Sequence, residues 1–163
     1  MLLVKGPSRM RGYLKQPERT AKALVDGYYN TGDMARLDDE GFLFITGRLS
    51  RFSKIGGEMV PHLKVEECLQ EIMDEATCLV IGVPDAQRGE RLVVLHTSKT
   101  LTPAAMVEHL NNADLPALWI PKPNQFFAVE SIPTLGTGKT DLRKSTDLAI
   151  ELASQVRQPA VAD

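Results

Sequence analysis

Two apolar runs of strand length, Leu79-Val80-Ile81-Gly82-Val83 and the stretch from Arg91 to Thr97, constrain this chain most. Each is far shorter than the roughly 20 residues a bilayer span needs. Both read as strands of a sheet, Ala76–Val83 and Arg91–Thr97, joined by the polar loop Pro84–Glu90. Helical patterns surround them. Val65, Cys68, Leu69, Ile72 and Met73 fall on one face of a helix over about 61–74, with Pro61 in its first turn. Thr102-Pro103 gives a capping hydroxyl and an N1 proline, and Met106, Val107 and Leu110 form the buried side of the helix that follows. A strand over Gln125–Val129 and a terminal helix from Leu142 to about Val156 complete the pattern, with Arg157–Asp163 expected to fray.

Residues 1–47 read differently. Short strands at Leu2–Val4, Tyr28–Asn30, Met34–Leu37 and Phe42–Thr46, with a helical stretch after Pro17 and a turn at Asp38-Asp39-Glu40-Gly41, cannot close a core of their own and must pack against something else. The expectation is an α+β chain: a small domain over 48–158, a sheet with flanking helices, preceded by a β-rich stub over 1–47 and followed by a tail over 159–163. A length of 163 residues allows one ordinary domain plus a fragment. A net charge of −2 gives no bulk attraction to nucleic acid or to an anionic membrane. The N-terminal Met1-Leu2-Leu3-Val4-Lys5 is too short for a signal peptide, so a cytoplasmic location is the default. Cys68 and Cys78 lack paired spacing and read as core hydrophobes; His62, His96 and His109 are scattered, and no zinc site is expected.

The chemistry-bearing motifs come in a fixed order: Gly12-Tyr13-Leu14, Thr31-Gly32-Asp33, Asp39-Glu40-Gly41-Phe42, Gly47-Arg48, Lys54-Ile55-Gly56-Gly57-Glu58 and Gly136-Thr137-Gly138-Lys139. In the last, two glycines deliver one lysine on an exposed, mobile tip, which suits a reaction that gathers negative charge on a carboxylate and a phosphate. Taken alone it also reads as an ordinary surface turn. It is not a phosphate-cradling P-loop, because Pro133 stands where that motif needs glycine.

The succession from about Leu2 to about Lys144 resembles the C-terminal part of the adenylate-forming enzymes: acyl-CoA synthetases, luciferases and peptide-synthetase adenylation domains. The resemblance implies the end of a large N-terminal domain, a hinge and a small mobile C-terminal domain, so the chain reads as a fragment of a longer enzyme, inactive alone. It implies ATP as substrate, with Mg2+ and the phosphates held by the missing N-terminal adenylation domain. Asp33 and Arg48 would hold the nucleotide ribose, and Lys139 would bridge carboxylate and phosphate during adenylation. Ser50 stands at the hinge, where relatives carry Asp or Lys, so the pivot is a region rather than one residue. Gly56 and Gly57 would line the channel for a phosphopantetheine thiol; a plain hairpin turn is the alternative there. Arg51, Lys54 and Lys64 form a basic group that could steer an acidic carrier protein, or could be a solvated face.

Leu115-Pro116-Ala117-Leu118-Trp119-Ile120-Pro121-Lys122, Ile132–Lys139 and Lys54–Val60 resemble one branch, the synthetase half of the bacterial bifunctional acyl-acyl-carrier-protein synthetase/2-acylglycerophosphoethanolamine acyltransferase. That branch implies a fatty acid activated as acyl-AMP, transferred to the phosphopantetheine of acyl carrier protein and passed on to a lysophospholipid, in an enzyme that other domains could bring to the inner membrane. The alternatives are an acyl-CoA or aryl-CoA ligase, which a basic cluster for the CoA nucleotide would favour, and a non-catalytic binding domain keeping the fold.

Overall fold

A computed structural model describes residues 1–156; the tail expected over 159–163 lies outside the described residues. The chain divides into two compact units, Met1–Arg51 and a second from Phe52 onward.

The first unit holds β1 (Leu3–Val4), α1 (Pro17–Ala23), β2 (Leu24–Val25), β3 (Tyr28–Asn30), β4 (Asp33–Leu37) and β5 (Leu43–Arg48). β3 lies between β1 and β2, antiparallel to both, while β4 and β5 form a separate two-stranded hairpin. Asp38 closes the β4–β5 turn by accepting from the N–H groups of Glu40 and Phe42, and Gly41 takes the positive φ of +86° that the turn requires. No residue of this unit is buried. Every side chain of β5 except Gly47 is exposed, including Leu43 at 50%, Phe44 at 42% and Ile45 at 57%. Strands this short have too little area to enclose side chains between them.

The second unit carries the core. Its elements are β6 (Phe52–Ile55), β7 (Glu58–Pro61), α2 (His62–Gln70), β8 (Cys78–Asp85), β9 (Gly89–His96), α3 (Pro103–Asn112), β10 (Phe126–Ala128) and α4 (Leu142–Gln155). β9 is central: β8 pairs antiparallel along its whole length, β10 runs parallel to its end, and β6, which forms a hairpin with β7, meets it at Ile55 and Gly89. Period-two alternation sorts β9 onto two layers. Leu92 and Val94 pack with Val65, Leu69, Met106 and Leu110 of α2 and α3, while Val93 and Leu95 pack with Ala149 and Ala153 of α4.

Several boundaries differ from the sequence expectation. Pro61 is the N-cap of α2 and ends β7, so it is not inside the helix's first turn, and α2 stops at Gln70. The expected loop Pro84–Glu90 shrinks to Ala86-Gln87-Arg88, because Asp85 accepts from the N–H groups of Gln87 and Arg88 and Gly89 takes a φ of +82°. That is the chemistry of a three-residue hairpin loop with glycine in the left-handed position. Thr102 caps α3 as expected, its hydroxyl accepting from Ala105 N–H.

Candidate functional site

In the first unit, Thr31-Gly32 forms a tight connection between β3 and β4. Asn30 Oδ1 accepts from Gly32 N–H at 3.0 Å, Thr31 Oγ1 accepts from Asp33 N–H at 3.0 Å, and Gly32 has a φ of +74°. These bonds deliver Asp33 at the first position of β4, directly across from Arg48 at the last position of β5. Asp33 Oδ1 lies 3.0 Å from Arg48 Nε, with Asp33 side chain 21% and Arg48 66% exposed. A carboxylate can accept about four hydrogen bonds, so the arginine orients Asp33 while its carboxylate keeps capacity to accept from further hydroxyl donors. Nearby, a hydrogen bond with Tyr13 pushes the Tyr29 phenol above its ordinary range.

Ser50 is exposed in the single helical turn Leu49–Arg51, and the two units divide immediately after Arg51.

In the second unit, Gly56 and Gly57 form the exposed turn of the β6–β7 hairpin, with φ of +58° and +95°. A Cβ at either position would have open space around it, so the turn presents bare backbone outward. Gly56 N–H donates to Arg88 O at 3.0 Å. That bond sets the turn against a cleft of about 660 Å³ whose lining includes Ile55, Leu118 and Pro121, the cations Arg88, Arg91 and Lys122, and one anion, Asp85. Arg88 and Lys122 are exposed cations there, and the Arg88 backbone N–H, together with that of Gln87, holds the Asp85 carboxyl below its ordinary range. Neither Arg88 nor Lys122 stands out as a site residue in the sequence; they lie 34 positions apart, and the β8–β9 loop and the turn at Pro123–Gln125 bring them to one cleft.

Lys139 is exposed on a small hairpin. Leu135 N–H donates to Lys139 O at 2.7 Å, Gly138 N–H to Leu135 O at 2.9 Å and Asp141 N–H to Pro133 O at 2.8 Å, with Thr134 bridged to Thr140. These bonds close the exposed tip into a turn. Gly138, at φ +80°, makes the reversal possible, and Asp141 then caps α4 by accepting from Lys144 N–H at 3.1 Å.

Residues 64–139 match the family model for the AMP-binding enzyme C-terminal domain. The chain carries that domain of the adenylate-forming superfamily. It is 33% identical over 143 residues to the 2-succinylbenzoate–CoA ligase of Listeria monocytogenes, covering 88% of this chain and 30% of that enzyme. It is 44% identical over 89 residues to a long-chain-fatty-acid–CoA ligase of Bacillus subtilis, covering 55% of this chain and 16% of the relative. Among solved structures it superimposes on ATP-bound MatB from Rhodopseudomonas palustris with a TM-score of 0.77 at 26% identity, over 93% of this chain and 30% of that one. The chain thus spans about 30% of the length of the first of these relatives.

Within this adenylate-forming domain the basic group expected from sequence is not uniform. Lys54 is exposed across from Met59 on the β6–β7 hairpin. Lys64 on α2 is paired at 2.8 Å with Glu67, whose hydrogen bond raises its pKa, and both side chains stay exposed. Cys68 and Cys78 are half-buried against the α2–α3 core, and burial pushes the Cys68 thiol up, which disfavours the thiolate. His109 Nε2 lies 2.9 Å from Cys68 O and ties α3 to α2. Among the described residues no group of three or more His, Cys, Asp or Glu is gathered as a metal site, and no helix is long and apolar enough to cross a membrane.

Proposed function

We propose that this chain is the C-terminal part of an ATP-dependent acid:thiol ligase that forms acyl-AMP and then passes the acyl group to the pantetheine thiol of CoA. The observation that carries the acceptor is the Gly56 N–H bond to Arg88 O, which joins an exposed backbone turn to a cleft bearing Arg88 and Lys122. A thin pantetheine arm suits side-chain-free backbone, and a phosphorylated nucleotide suits two exposed cations beside it. In adenylation, Lys139 offsets repulsion between the carboxylate and the α-phosphate as they approach in line. Asp33, oriented by Arg48, takes the ribose diol. Leu49–Arg51 is the hinge that exchanges the Lys139 hairpin for the Gly56-Gly57 turn between half-reactions. The CoA-ligase relatives support this reading at the level of reaction class.

A second reading keeps acyl carrier protein as the acceptor, with a fatty acid as substrate and a lysophospholipid as the final acyl recipient. The exposed Lys54 across from Met59, with Arg51 just before β6, favours it, although Lys64 is already paired with Glu67.

Half-reaction kinetics on the full-length polypeptide test both. Lys139→Ala should lower acyl-dependent pyrophosphate exchange about 10²–10³-fold and spare transfer from supplied acyl-AMP; equal loss in both half-reactions refutes its role. Reversing Arg88 and Lys122 together should raise KM for CoA and leave KM for free pantetheine unchanged. An enzyme that uses carrier protein far better than CoA, with a salt-sensitive KM, decides for the second reading.

A further inference from the structure

The hairpin that carries Gly56 and Gly57 has a polar contact inside its apolar base. Ser53 is 1% and His62 4% exposed, and Ser53 Oγ lies 2.8 Å from His62 Nε2. Burying two polar side chains from different elements is unfavourable unless they bond. Ordinary strand packing would be served by an apolar residue, as at Val60, the register partner of Ser53. Room for the hydroxyl comes from a third element: a Cβ on Gly82 would stand 1.8 Å from Ser53 Oγ. β6, the first residue of α2 and the middle of β8 therefore meet at one hydroxyl. The same strand is tied again where Glu90 accepts from Lys54 N–H and Gly56 N–H donates to Arg88 O. The turn has nothing packed against it at either glycine. Its direction is set from its base.

We propose that Ser53 and His62 are a positioning pair for the thiol half-reaction, fixing the direction in which the Gly56-Gly57 turn meets the pantetheine arm. This rests on the acyl-to-thiol reading above. Neither residue touches substrate; they act through the hairpin.

In the full-length polypeptide, Ser53→Ala and His62→Leu should each lower kcat for acyl transfer to CoA about tenfold, as a sub-ångström displacement of a reacting group does. KM for CoA should stay within about twofold, because the Arg88 and Lys122 cleft is intact, and pyrophosphate exchange should be unchanged. His62→Gln, whose amide can donate or accept, should recover most of kcat. Equal loss in both half-reactions, or no rescue by glutamine, overturns the proposal. In the 163-residue chain itself, amide exchange at Ile55 and Gly56 should quicken about tenfold in Ser53→Ala while Leu69 and Val94 keep their protection. Unchanged exchange at the hairpin overturns it as well. A wild-type polypeptide that transfers acyl groups to no thiol refutes the functional reading, and the exchange result then decides the clamp by itself.

Discussion

Replacing Gly82 with alanine should destabilise the second unit sharply, although alanine in a strand ordinarily gains about 0.5–1 kcal/mol over glycine through the unfolded chain. Gly82 sits mid-strand in β8 opposite Leu92. A Cβ there would stand 1.8 Å from Ser53 Oγ, 3.2 Å from Ser53 Cβ and 3.2 Å from Glu90 Oε1. The first overlap is relieved only by turning the hydroxyl out of its bond with His62. Overpacking costs about 1–3 kcal/mol and the lost hydrogen bond about 1. Set against the alanine gain, the net is roughly 2–3 kcal/mol, or a Tm lower by about 10 °C for a unit of this size. Removing the hydroxyl first changes the sum. In Ser53→Ala the remaining 3.2 Å contacts need only a few tenths of an ångström of adjustment, so adding Gly82→Ala should then cost about 1 kcal/mol or less. Urea unfolding of wild type, both single variants and the double variant forms a cycle with a predicted coupling of at least about 1 kcal/mol. Costs that add within about 0.5 kcal/mol, or a Gly82→Ala protein as stable as wild type, refute the reasoning.

Two further outcomes follow from particular groups. His96 is 3% exposed, and burial pushes its pKa below the ordinary value of 6.5, outweighing a hydrogen bond with the Ser98 backbone that raises it. The unfolded chain therefore takes up a proton that the fold resists: the contribution of His96 is complete above pH 6.5 and is lost as pH falls from there toward the lower folded value. His96→Leu should flatten the acid side of a stability-against-pH curve, and an unaltered slope refutes this. Asp141→Ala removes the cap of α4 and should cost about 1 kcal/mol in chemical denaturation; a change below about 0.3 kcal/mol would mean that the cap is replaced by solvent.

What the sequence made legible were features whose cause is local. Thr102-Pro103 starts α3 because a capping hydroxyl and a proline act within one turn. The apolar runs became β8 and β9 because only strands of a covered sheet use them. What stayed hidden depends on register or on distant chain. Asp33 and Arg48 were each singled out, but their mutual bond comes from β4–β5 pairing across a bulge between Met34 and Ala35, which no spacing rule counts. Pro84 read as a loop residue, yet it pairs with Glu90 near the end of β8, and Asp85 supplies the turn bonds beyond it. Ser53 and His62 looked like unremarkable polar residues, since the absent side chain at Gly82 that admits them lies 29 residues after Ser53.

The exposed β5 strand bears on how this chain behaves in a tube. Phe42-Leu43-Phe44-Ile45 is an uncharged, exposed run without proline, and among the described residues its strand is hydrogen-bonded to a neighbour on one side only. Such a strand is a template onto which a second copy can add. One guard is present, the Arg36 guanidinium stacked 4.4 Å from the centre of the Phe44 ring. Self-association of the 163-residue chain is then a competition between that guard and strand addition, and it should rise with protein concentration while the β8–β9 core stays folded.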